Sequence, residues 1–338
     1  MDTSRRMVID ALEMRSTKGL PALKHWYTTE LIDAHKQELD AIKTEYPDDL
    51  IFMDWEERDA YFRGGIDEWG CRWAISRDGV AASPTDPLLS DWRSRDTLLA
   101  GHFPSLDRER RIKLMSAGKD PASERFMLGR IFRTFAERVQ IFRGMENFLI
   151  DLYDNEKELN GLLERLFDFV ARIIRLFAEA GADAVFLGDD WGTQTGLLVS
   201  PYQWRRIFKP WYSKLCRAIH EEGMYVFFHS CGNVREIIGD FIECGVDCLN
   251  PLQPNAMDVG RIAAEFGGKI SFFGGIDTQI TLISSDPDDV MREVLSRAES
   301  FSRFNGGYIC APSTSIMPET PISNIESMCK AISRLNAK

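Results

Sequence analysis

The sequence predicts a single (β/α)₈ barrel of the α/β class, with an insertion near its N-terminal end. Three observations predict this fold. The second half of the 338-residue chain alternates short apolar runs with segments of helical periodicity, as in a buried parallel sheet. Together with the runs of the first half, the predicted strands reach eight, the number that closes such a barrel. No GxGxxG turn follows an early strand, which disfavours the doubly wound open sheet.

Each predicted strand is a short apolar run that ends near a polar or turn-forming residue. In the regular second half, the predicted strands are residues 183–192, 224–233, 246–254, 270–278 and 306–314. In the first half, they are residues 20–27, 48–55 and 125–132. Residues 56–120 are rich in Arg, Asp, Gly and aromatic residues, and we expect an insertion or lid there, with a hairpin around DEWGCRW. We expect one domain over residues 1–338.

Composition and charge narrow the class of function. The formal net charge of −11 disfavours nucleic acid as a partner, because phosphate backbones require a basic face. The seven cysteines are an odd number in a large chain without a secretory apolar segment at its start, which indicates reduced thiols and a cytoplasmic protein. No apolar run approaches about 18 residues, so we expect no membrane span. A small-molecule substrate is expected, and the choice between monomer and homodimer is left open.

The segment FFHSCGN places His229 and Cys231 two residues apart at the end of a predicted strand, where barrel active sites form. Side chains two apart on a strand point to the same side, and an imidazole with a thiolate can chelate zinc. A packed cysteine beside a hydrogen-bonded histidine is the alternative. Catalytic zinc usually has three protein ligands, and Cys310 on the last predicted strand is the candidate third. An oxygen of Asp189 or Asp190 is the other candidate.

Further polar and aromatic residues lie at the predicted strand ends and in the insertion. Asp189 and Asp190 are predicted to be catalytic, by orienting substrate or by general acid–base chemistry. The alternative is that one carboxylate caps the next helix and the other pairs with an arginine. For Trp69 the alternative is a packed hairpin, and for Asp277 a tight strand-to-helix turn. The residues predicted to bind substrate are Trp69, Trp191, Gln194, Asn250, Gln253 and Asp277.

Several segments together resemble the uroporphyrinogen decarboxylase superfamily, over about residues 67–325. They are FRGMENFLIDLYD, FLGDDWGTQTGLLVSPYQWRRIFKPWY, VFFHSCGNV, NPLQPNAMD, FFGGIDTQ and GGYICAPSTSIMPETP. The resemblance implies one (β/α)₈ barrel. One branch of this superfamily removes carboxyl groups from porphyrinogens without a cofactor, and another comprises zinc methyltransferases that exchange methyl groups with corrinoid proteins. His229 and Cys231 match the H-x-C pattern of the methyltransferases, whereas Thr314 stands where their late cysteine is expected.

The resemblance therefore implies a zinc-dependent methyltransferase that moves a methyl group between a methyl ether or thiol and the corrinoid of a partner protein, which is methylcobalamin when it carries the methyl group. The alternative is a cofactor-free decarboxylase of a tetrapyrrole or another carboxylated ring. That branch grips its substrate with an arginine-rich loop after the first strand. The corresponding segment here has Lys24 and His25 but no arginine, which disfavours decarboxylation. A third hypothesis is a non-catalytic binding protein for a corrinoid or aromatic ligand.

Overall fold

The computed structural model of the chain describes residues 3–75, 82–96, 101–118, 124–284 and 286–337. The strands are, in chain order, β1 (Leu50–Asp54), β2 (Gly65–Ile66), β3 (Arg72–Ile75), β4 (Ala82–Thr85), β5 (Phe126–Phe132), β6 (Ala184–Gly188), β7 (Tyr225–His229), β8 (Cys248–Leu252), β9 (Ser271–Ile276) and β10 (Tyr308–Pro312). Within these ranges, seven strands form a curved parallel sheet in the order β1-β5-β6-β7-β8-β9-β10. The other three, β2-β3-β4, form a small antiparallel sheet.

A short segment around Ala22 fills the gap between β10 and β1 and so closes the sheet into a barrel. The amide of Leu23 donates to the carbonyl of Cys310 at 3.0 Å, and the amide of Cys310 donates to the carbonyl of Pro21 at 2.9 Å. On the other side, the amide of Asp49 donates to the carbonyl of Ala22, and the Asp49 carboxylate accepts from the Ala22 amide at 2.9 Å. The position of the eighth strand in the barrel is therefore occupied by an extended segment, which is joined to β10 through an isolated bridge.

Helices follow most strands and cover the outside of the barrel. Their N-termini form where a side chain can accept the first free amides. Ser200, for example, accepts from the amide of Gln203 with Pro201 in the first turn, and Asp258 accepts from the amide of Arg261. The described helices are Ser4–Leu12, Thr29–Glu45, Asp59–Arg63, Arg108–Met115, Ala136–Arg143, Met145–Asp154, Glu156–Glu179, Pro201–Ile207, Lys209–Glu221, Ile238–Cys244, Val259–Phe266, Thr281–Ser284, Pro287–Ser302 and Ile322–Asn336, with 3₁₀ turns at Trp92–Ser94 and Arg235–Ile237. None of them is both long enough and apolar enough to cross a membrane.

Large aromatic side chains fill the interior of the barrel. Four phenylalanine rings meet there, with 5.9–6.1 Å between the centroids of neighbouring rings. They belong to Phe126, Phe186, Phe227 and Phe273. The helix Ser4–Leu12 covers the amino-terminal end of the strands, with Val8 and Ala11 in the same buried cluster. Polar chemistry is therefore confined to the opposite end, the mouth of the barrel, where the strands end and the βα loops begin.

The predicted α/β barrel and seven of the eight predicted strands are confirmed, since each predicted run from 48–55 onwards contains one strand of the parallel sheet. The predicted strand at 20–27 is wrong in extent. Pro21 has no amide to donate, and Asp48 and Asp49 bond this segment partly through their side chains in place of a backbone ladder. Between β1 and β5, where the sequence predicts an insertion, the chain forms the small antiparallel sheet and two of the helices.

Candidate metal centre

Three potential metal ligands converge at the mouth of the barrel: Asp190, His229 and Cys231, whose donor atoms all lie within 4.8 Å of one another. His229 Nε2 is 3.3 Å from Cys231 Sγ and 3.5 Å from Asp190 Oδ1. Tetrahedral zinc with ordinary Zn–N, Zn–S and Zn–O bonds would separate such donors by about 3.4–3.6 Å. The nitrogen, sulfur and oxygen donors present therefore fit a zinc ion. Within the described residues, no other group of three His, Cys, Asp or Glu side chains meets the same distance.

The side chain of Asn250 fixes the tautomer of His229. Its amide nitrogen donates to the carbonyl of Phe273 at 2.8 Å, so its oxygen must face the imidazole. That oxygen lies 2.6 Å from His229 Nδ1, which must then carry the proton and donate it. The lone pair of Nε2 is left pointing toward Cys231 and Asp190. An orienting acceptor behind the ligating histidine is the usual support of a metal site.

Two glycines hold the loops after β6 and β7 in backbone contact. The amide of Gly192 donates to the carbonyl of Cys231 at 3.0 Å, and the amide of Asn233 donates to that of Thr193 at 2.8 Å. Gly232 has φ +80°, and a Cβ atom there would lie 2.3 Å from the carbonyl carbon of Gly192. Glycine at 232 thus allows the neighbouring loop, rather than a ligand, to approach closely. This contact sets the position of Cys231.

Negative charge accumulates around the three ligands. Burial raises the pKa of the Cys231 thiol well above its ordinary value, and the nearby Asp190 and Glu137 carboxylates raise it further. Burial also raises the pKa of Glu137 to about 8, with further contributions from Asp190 and Asp189, while Arg133 opposes the change. A divalent cation among these groups would offset the repulsion and favour the thiolate. The electrostatics therefore agree with the donor geometry.

Asp189 faces away from the metal ligands despite its position beside Asp190. It is completely buried, and its carboxylate accepts from the amides of Phe135 and Glu137 and from the hydroxyl of Tyr212, at 2.6–2.9 Å. Burial raises its pKa to about 6, although these hydrogen bonds lower it. These contacts cap the helix Ala136–Arg143, which precedes β6 in the chain, whereas the next helix, Pro201–Ile207, is capped by Ser200 and not by a carboxylate as the alternative expected. A catalytic role for Asp189 stays a prediction without support from its geometry.

Cys310 does not join the metal centre, which corrects its prediction as a ligand. On β10 the flanking residues Ile309 and Ala311 belong to the cluster inside the barrel, whereas Cys310 packs in the cluster between the sheet and the helices. Its side chain is fully buried there and points to the opposite face of the strand. Asp190, the other candidate ligand in the sequence, is the one that lies beside His229 and Cys231.

The residues predicted to bind substrate have different positions. Trp191 is fully buried and donates to the hydroxyl of Tyr212, so the prediction that it lines the site is wrong. Trp69 donates to the buried carboxylate of Glu56 inside the insertion, as its packing alternative requires. Asp277 accepts from the amides of Gln279 and Thr281, and so forms the tight turn.

The other three predicted substrate residues lie on β8 or in the loops around the metal centre. Asn250 orients His229, as described above. Gln253 accepts from the amide of Gly232 at 2.9 Å, which places it beside Cys231. Gln194 is exposed and donates to the carbonyl of Asn255. Contact of these side chains with substrate remains a prediction.

Sequence reasoning missed Glu137 and the arginines of the mouth. Arg130 forms a bidentate ion pair with Asp54, in which its Nε and one terminal nitrogen lie 2.9 and 2.6 Å from the two carboxylate oxygens. Its guanidinium stacks over the ring of Phe52. Burial lowers the pKa of Arg58, whose side chain lies 3.8 Å from Asp54, to about 10. For Glu137 the signal was available, because residues 133–137 directly follow the predicted strand 125–132, and strand ends form the mouth of a barrel.

Aromatic rings form the floor and one wall of the centre. The ring of His229 lies 5.3 Å from that of Phe132, 5.9 Å from that of Phe186 and 6.3 Å from that of Trp26, between centroids. Beneath them is the phenylalanine-filled interior of the barrel. Among the described residues, these rings close the centre from below, so the metal ligands face the mouth and the loops after the strands.

Comparison with protein families gives one match over most of the second half and part of the first. A family model described as uroporphyrinogen decarboxylase (URO-D) matches residues 135–335. This range contains Asp190, His229 and Cys231, and also Glu137 at its beginning. The match thus covers more than half of the chain and all the candidate metal ligands.

Curated relatives carry two different activities in their names. A uroporphyrinogen decarboxylase of Thermus thermophilus is 28% identical over 186 residues, which are 55% of this chain and 51% of that protein. The methylcobamide:CoM methyltransferase MtaA of Methanosarcina barkeri is 26% identical over 154 residues, 45% of this chain and 42% of that protein. The chain therefore spans about half the length of the curated relatives it matches, at nearly equal identity to both kinds.

Among solved structures, a methyltransferase from Methanosarcina mazei matches 99% of this chain and 99% of its own, with a TM-score of 0.76 and 18% identity. At this identity the likeness establishes the fold alone. It extends the barrel architecture to nearly the whole chain, including the residues before 135.

Proposed function

Because the chain belongs to the uroporphyrinogen decarboxylase (URO-D) family, we propose that it is a zinc-dependent methyltransferase of a corrinoid system. The convergence of Asp190, His229 and Cys231 on one point at the mouth of the barrel carries this proposal. These three residues would hold the zinc ion, and the fourth position would be open to substrate. Methyltransferases occur among the curated relatives and the solved structures, in agreement with the proposal.

When bound, zinc would supply Lewis acidity, which lowers the pKa of a substrate thiol or polarises the oxygen of a methyl ether. The protein's own groups do the rest. Asn250 holds the imidazole of His229 in the tautomer that leaves Nε2 free. The aromatic floor excludes water from beneath the site. Glu137 would supply a proton to the alkoxide that leaves when a methyl ether gives up its methyl group, or would accept a proton from an incoming thiol.

The proposed partner is a corrinoid protein that carries methylcobalamin. The helix Ser4–Leu12 and the phenylalanines inside the barrel block the opposite end, so a corrinoid can approach the metal ligands only through the mouth. The substrate would be a small methyl ether or a thiol, bound between the loops and the corrinoid. The direction of transfer depends on which of the two carries the methyl group.

Cofactor-free decarboxylation is the second candidate, and the similarity to the Thermus thermophilus decarboxylase is the observation in its favour. The segment that would carry its cationic clamp does not offer free charges. Lys24 is buried and donates to the carbonyl of Pro47. The ring of His25 bonds the hydroxyl of Tyr27 and the carbonyl of Tyr46, and burial lowers its pKa. We therefore place methyl transfer first.

Metal analysis tests the proposal directly. Protein purified without chelator, then analysed by plasma mass spectrometry, should contain about one zinc ion per chain. His229→Ala and Cys231→Ser should each lose most of it. His220→Ala and Cys244→Ser are matched controls, because both residues lie away from the site, His220 beside Asp247 and Cys244 beside Ser213. Zinc that remains in the two site variants would contradict the assigned ligands.

An activity assay separates the two candidate functions. The protein is mixed with methylcobalamin and a small thiol, and loss of the cobalt–carbon bond is followed by absorbance. Methyl transfer that chelation abolishes and zinc restores supports the proposal. Incubation with uroporphyrinogen, followed by chromatography, tests the alternative. Decarboxylated products that form equally well in the presence of chelator would replace methyl transfer by the second candidate.

A further inference from the structure

A cavity of about 400 Å³ lies beside the metal centre, between the insertion and the loop and helix that follow β5. Trp73, Pro84 and Ile141 give it apolar walls, and Arg133, Glu137 and Gln140 give it polar groups. Glu137 links the cavity to the metal centre, because its amide donates at 2.9 Å to Asp189, the chain neighbour of the candidate ligand Asp190. This volume is at the lower end of the range for small-molecule sites, which suits a molecule built on a single ring.

Arg133 is held in the cavity by aromatic rings and a strained backbone. Its guanidinium carbon lies 4.2 Å from the ring centroid of Tyr61 and 4.9 Å from that of Trp73. Its φ of +59° is in the left-handed region, which arginine rarely adopts. Such strain persists where the surroundings enforce it, and it concentrates at ligand-binding positions. The side chain is therefore fixed in place before any ligand arrives.

Among the residues that the structure describes, the guanidinium of Arg133 has no hydrogen bond and no carboxylate within ion-pair distance, although its charge acts on the carboxyl groups of Glu56 and Glu137. The mouth arginines Arg58 and Arg130, by contrast, both lie near the carboxylate of Asp54. In the same part of the chain, the amide nitrogen of Gln140 is buried without an acceptor. Buried donors cost free energy when they stay unpaired. The buried amide of Gln140 and the partly buried guanidinium of Arg133 on one cavity wall therefore offer donors to the acceptor atoms of a ligand.

We propose that this cavity binds an organic acid with a single apolar ring, whose carboxylate is held by Arg133 and Gln140. The inference rests on the proposed function, because it makes this acid the methyl-bearing or methyl-accepting substrate. Its carboxylate lies at the arginine, and its ring packs against Trp73, Pro84 and Ile141. Its reacting substituent extends past Glu137 toward Asp190 and Cys231. Arg133 thereby selects acids over neutral molecules of the same shape.

Titration calorimetry with 4-methoxybenzoate and its neutral analogue 4-methoxybenzyl alcohol tests this selection. The experiment uses metal-free protein, because the proposed contacts of the ligand's carboxylate do not involve zinc. We expect the acid to bind about ten- to hundredfold more tightly than the alcohol. Arg133→Gln should abolish the preference and Gln140→Leu should reduce it. Arg72→Gln, next to Trp73 but exposed on the opposite face of β3, is the matched control and should retain it.

Thermal unfolding of each variant verifies that it is folded, and Arg133→Lys, which keeps the charge, should retain part of the preference. Equal affinity for acid and alcohol in the unmodified protein would overturn the inference. So would a preference that survives in Arg133→Gln. Selective binding of the acid by a protein without zinc or methyl transfer would sustain the cavity assignment and reject only the proposed function. Methyl transfer without selectivity for acids would reject only the cavity assignment.

Discussion

Asp189 and Asp190 are neighbours in the sequence, yet they belong to two regions of the molecule with opposite properties. Asp190 faces the mouth of the barrel, where its side chain is 43% exposed beside His229 and Cys231. Asp189 faces the layer behind the strand ends, where it is fully buried and accepts hydrogen bonds from Phe135, Glu137 and Tyr212. One carboxylate can exchange water for a metal ion, and the other holds two elements together.

The difference shows that two adjacent acids at a strand end can have separate roles, one as a metal ligand and the other as a hydrogen-bond acceptor that stabilises the fold. The buried member caps the helix Ala136–Arg143, which carries Glu137 and Gln140 toward the cavity. The exposed member then has a stable loop from which to act. Substitutions in the two regions should therefore give different phenotypes, and the following predictions test this, from the largest expected effect to the smallest.

Asp189→Ala should destabilise the whole protein. The change leaves the amides of Phe135 and Glu137 and the hydroxyl of Tyr212 without an acceptor in a buried place. We expect a loss of about 3–5 kcal/mol in the free energy of unfolding, measured by urea denaturation. Asp189→Asn, which keeps one acceptor oxygen, should lose less. A loss below about 1 kcal/mol for the alanine variant would remove the distinction between the two regions.

Gly232→Ala should damage both regions, because the two loops meet at this residue. The added Cβ would lie 2.3 Å from the carbonyl carbon of Gly192, at a φ that favours glycine. We expect about 2–4 kcal/mol of destabilisation together with weaker zinc binding, since Cys231 must move. Gly196→Ala is the control, because no heavy atom lies within 4 Å of a Cβ placed there. Equal stability of the two variants would contradict the backbone contact.

Asp190→Asn should affect the metal and hardly the fold. The asparagine oxygen can still accept from the Cys231 amide, as Asp190 Oδ1 does at 2.8 Å, but it is a weaker zinc ligand. We expect the affinity for zinc, measured by competition with a chromogenic chelator, to fall at least about 10- to 100-fold. The free energy of unfolding of the metal-free protein should change by less than about 1 kcal/mol. Unchanged zinc affinity would exclude Asp190 as a ligand.

The pH dependence of stability should show the buried acids as separate steps. The pKa of Asp189 is raised from 3.8 to about 6 and that of Glu137 from 4.5 to about 8, so the folded state binds protons that the unfolded state releases. Stability of the metal-free protein should therefore fall as pH rises from about 4 to about 8, and level off above that. Urea midpoints across this range measure it, and because one pKa unit corresponds to about 1.4 kcal/mol, the two shifts together should lower the stability by several kcal/mol.

Substitution assigns each step to its residue. Glu137→Gln should remove the decrease at the upper end of the range, and Asp189→Asn the decrease at the lower end. A stability that rises with pH through this window would show that neither carboxyl group is protonated in the folded state. In that case the electrostatic description of both regions would need revision.

Much of the barrel could be predicted from the sequence, because buried parallel strands are apolar throughout and end at recognisable polar residues. His229, Cys231 and Asp190 are visible for the same reason, since each lies at the end of such a strand or within two residues of it. The sequence does not reveal which face of a strand points inward. Cys310 and Trp191 look equally suited to the site, and only the packing of Ile309, Ala311 and Tyr212 turns them outward.

The cavity beside the metal centre could not be predicted, because it is assembled from residues far apart in the chain. Trp73 comes from the insertion, and Arg133 and Gln140 come from the loop and helix after β5. No local pattern links these positions. The predicted extent of the strand at 20–27 was wrong for a related reason. The partners of Ala22 include the carboxylate of Asp49, and side-chain hydrogen bonds of this kind leave no periodic pattern in the sequence.

The segment around Ala22 has a consequence for entry to the site. Further along the same segment, the carbonyl of Trp26 accepts from the amide of Ile316 at 2.7 Å. The ring centroid of Trp26 lies 6.3 Å from that of His229. The segment around Ala22 is joined to β10 and β1 by isolated bridges and side-chain hydrogen bonds, whereas the other neighbouring strands of the sheet share continuous ladders. The segment is nevertheless buried, since Ala22 is fully buried and Leu23 and Lys24 are 3% and 5% exposed. Because the segment that closes the barrel also holds the ring of Trp26 beside the imidazole, a substitution that loosens this closure should also shift one wall of the entrance to the metal centre.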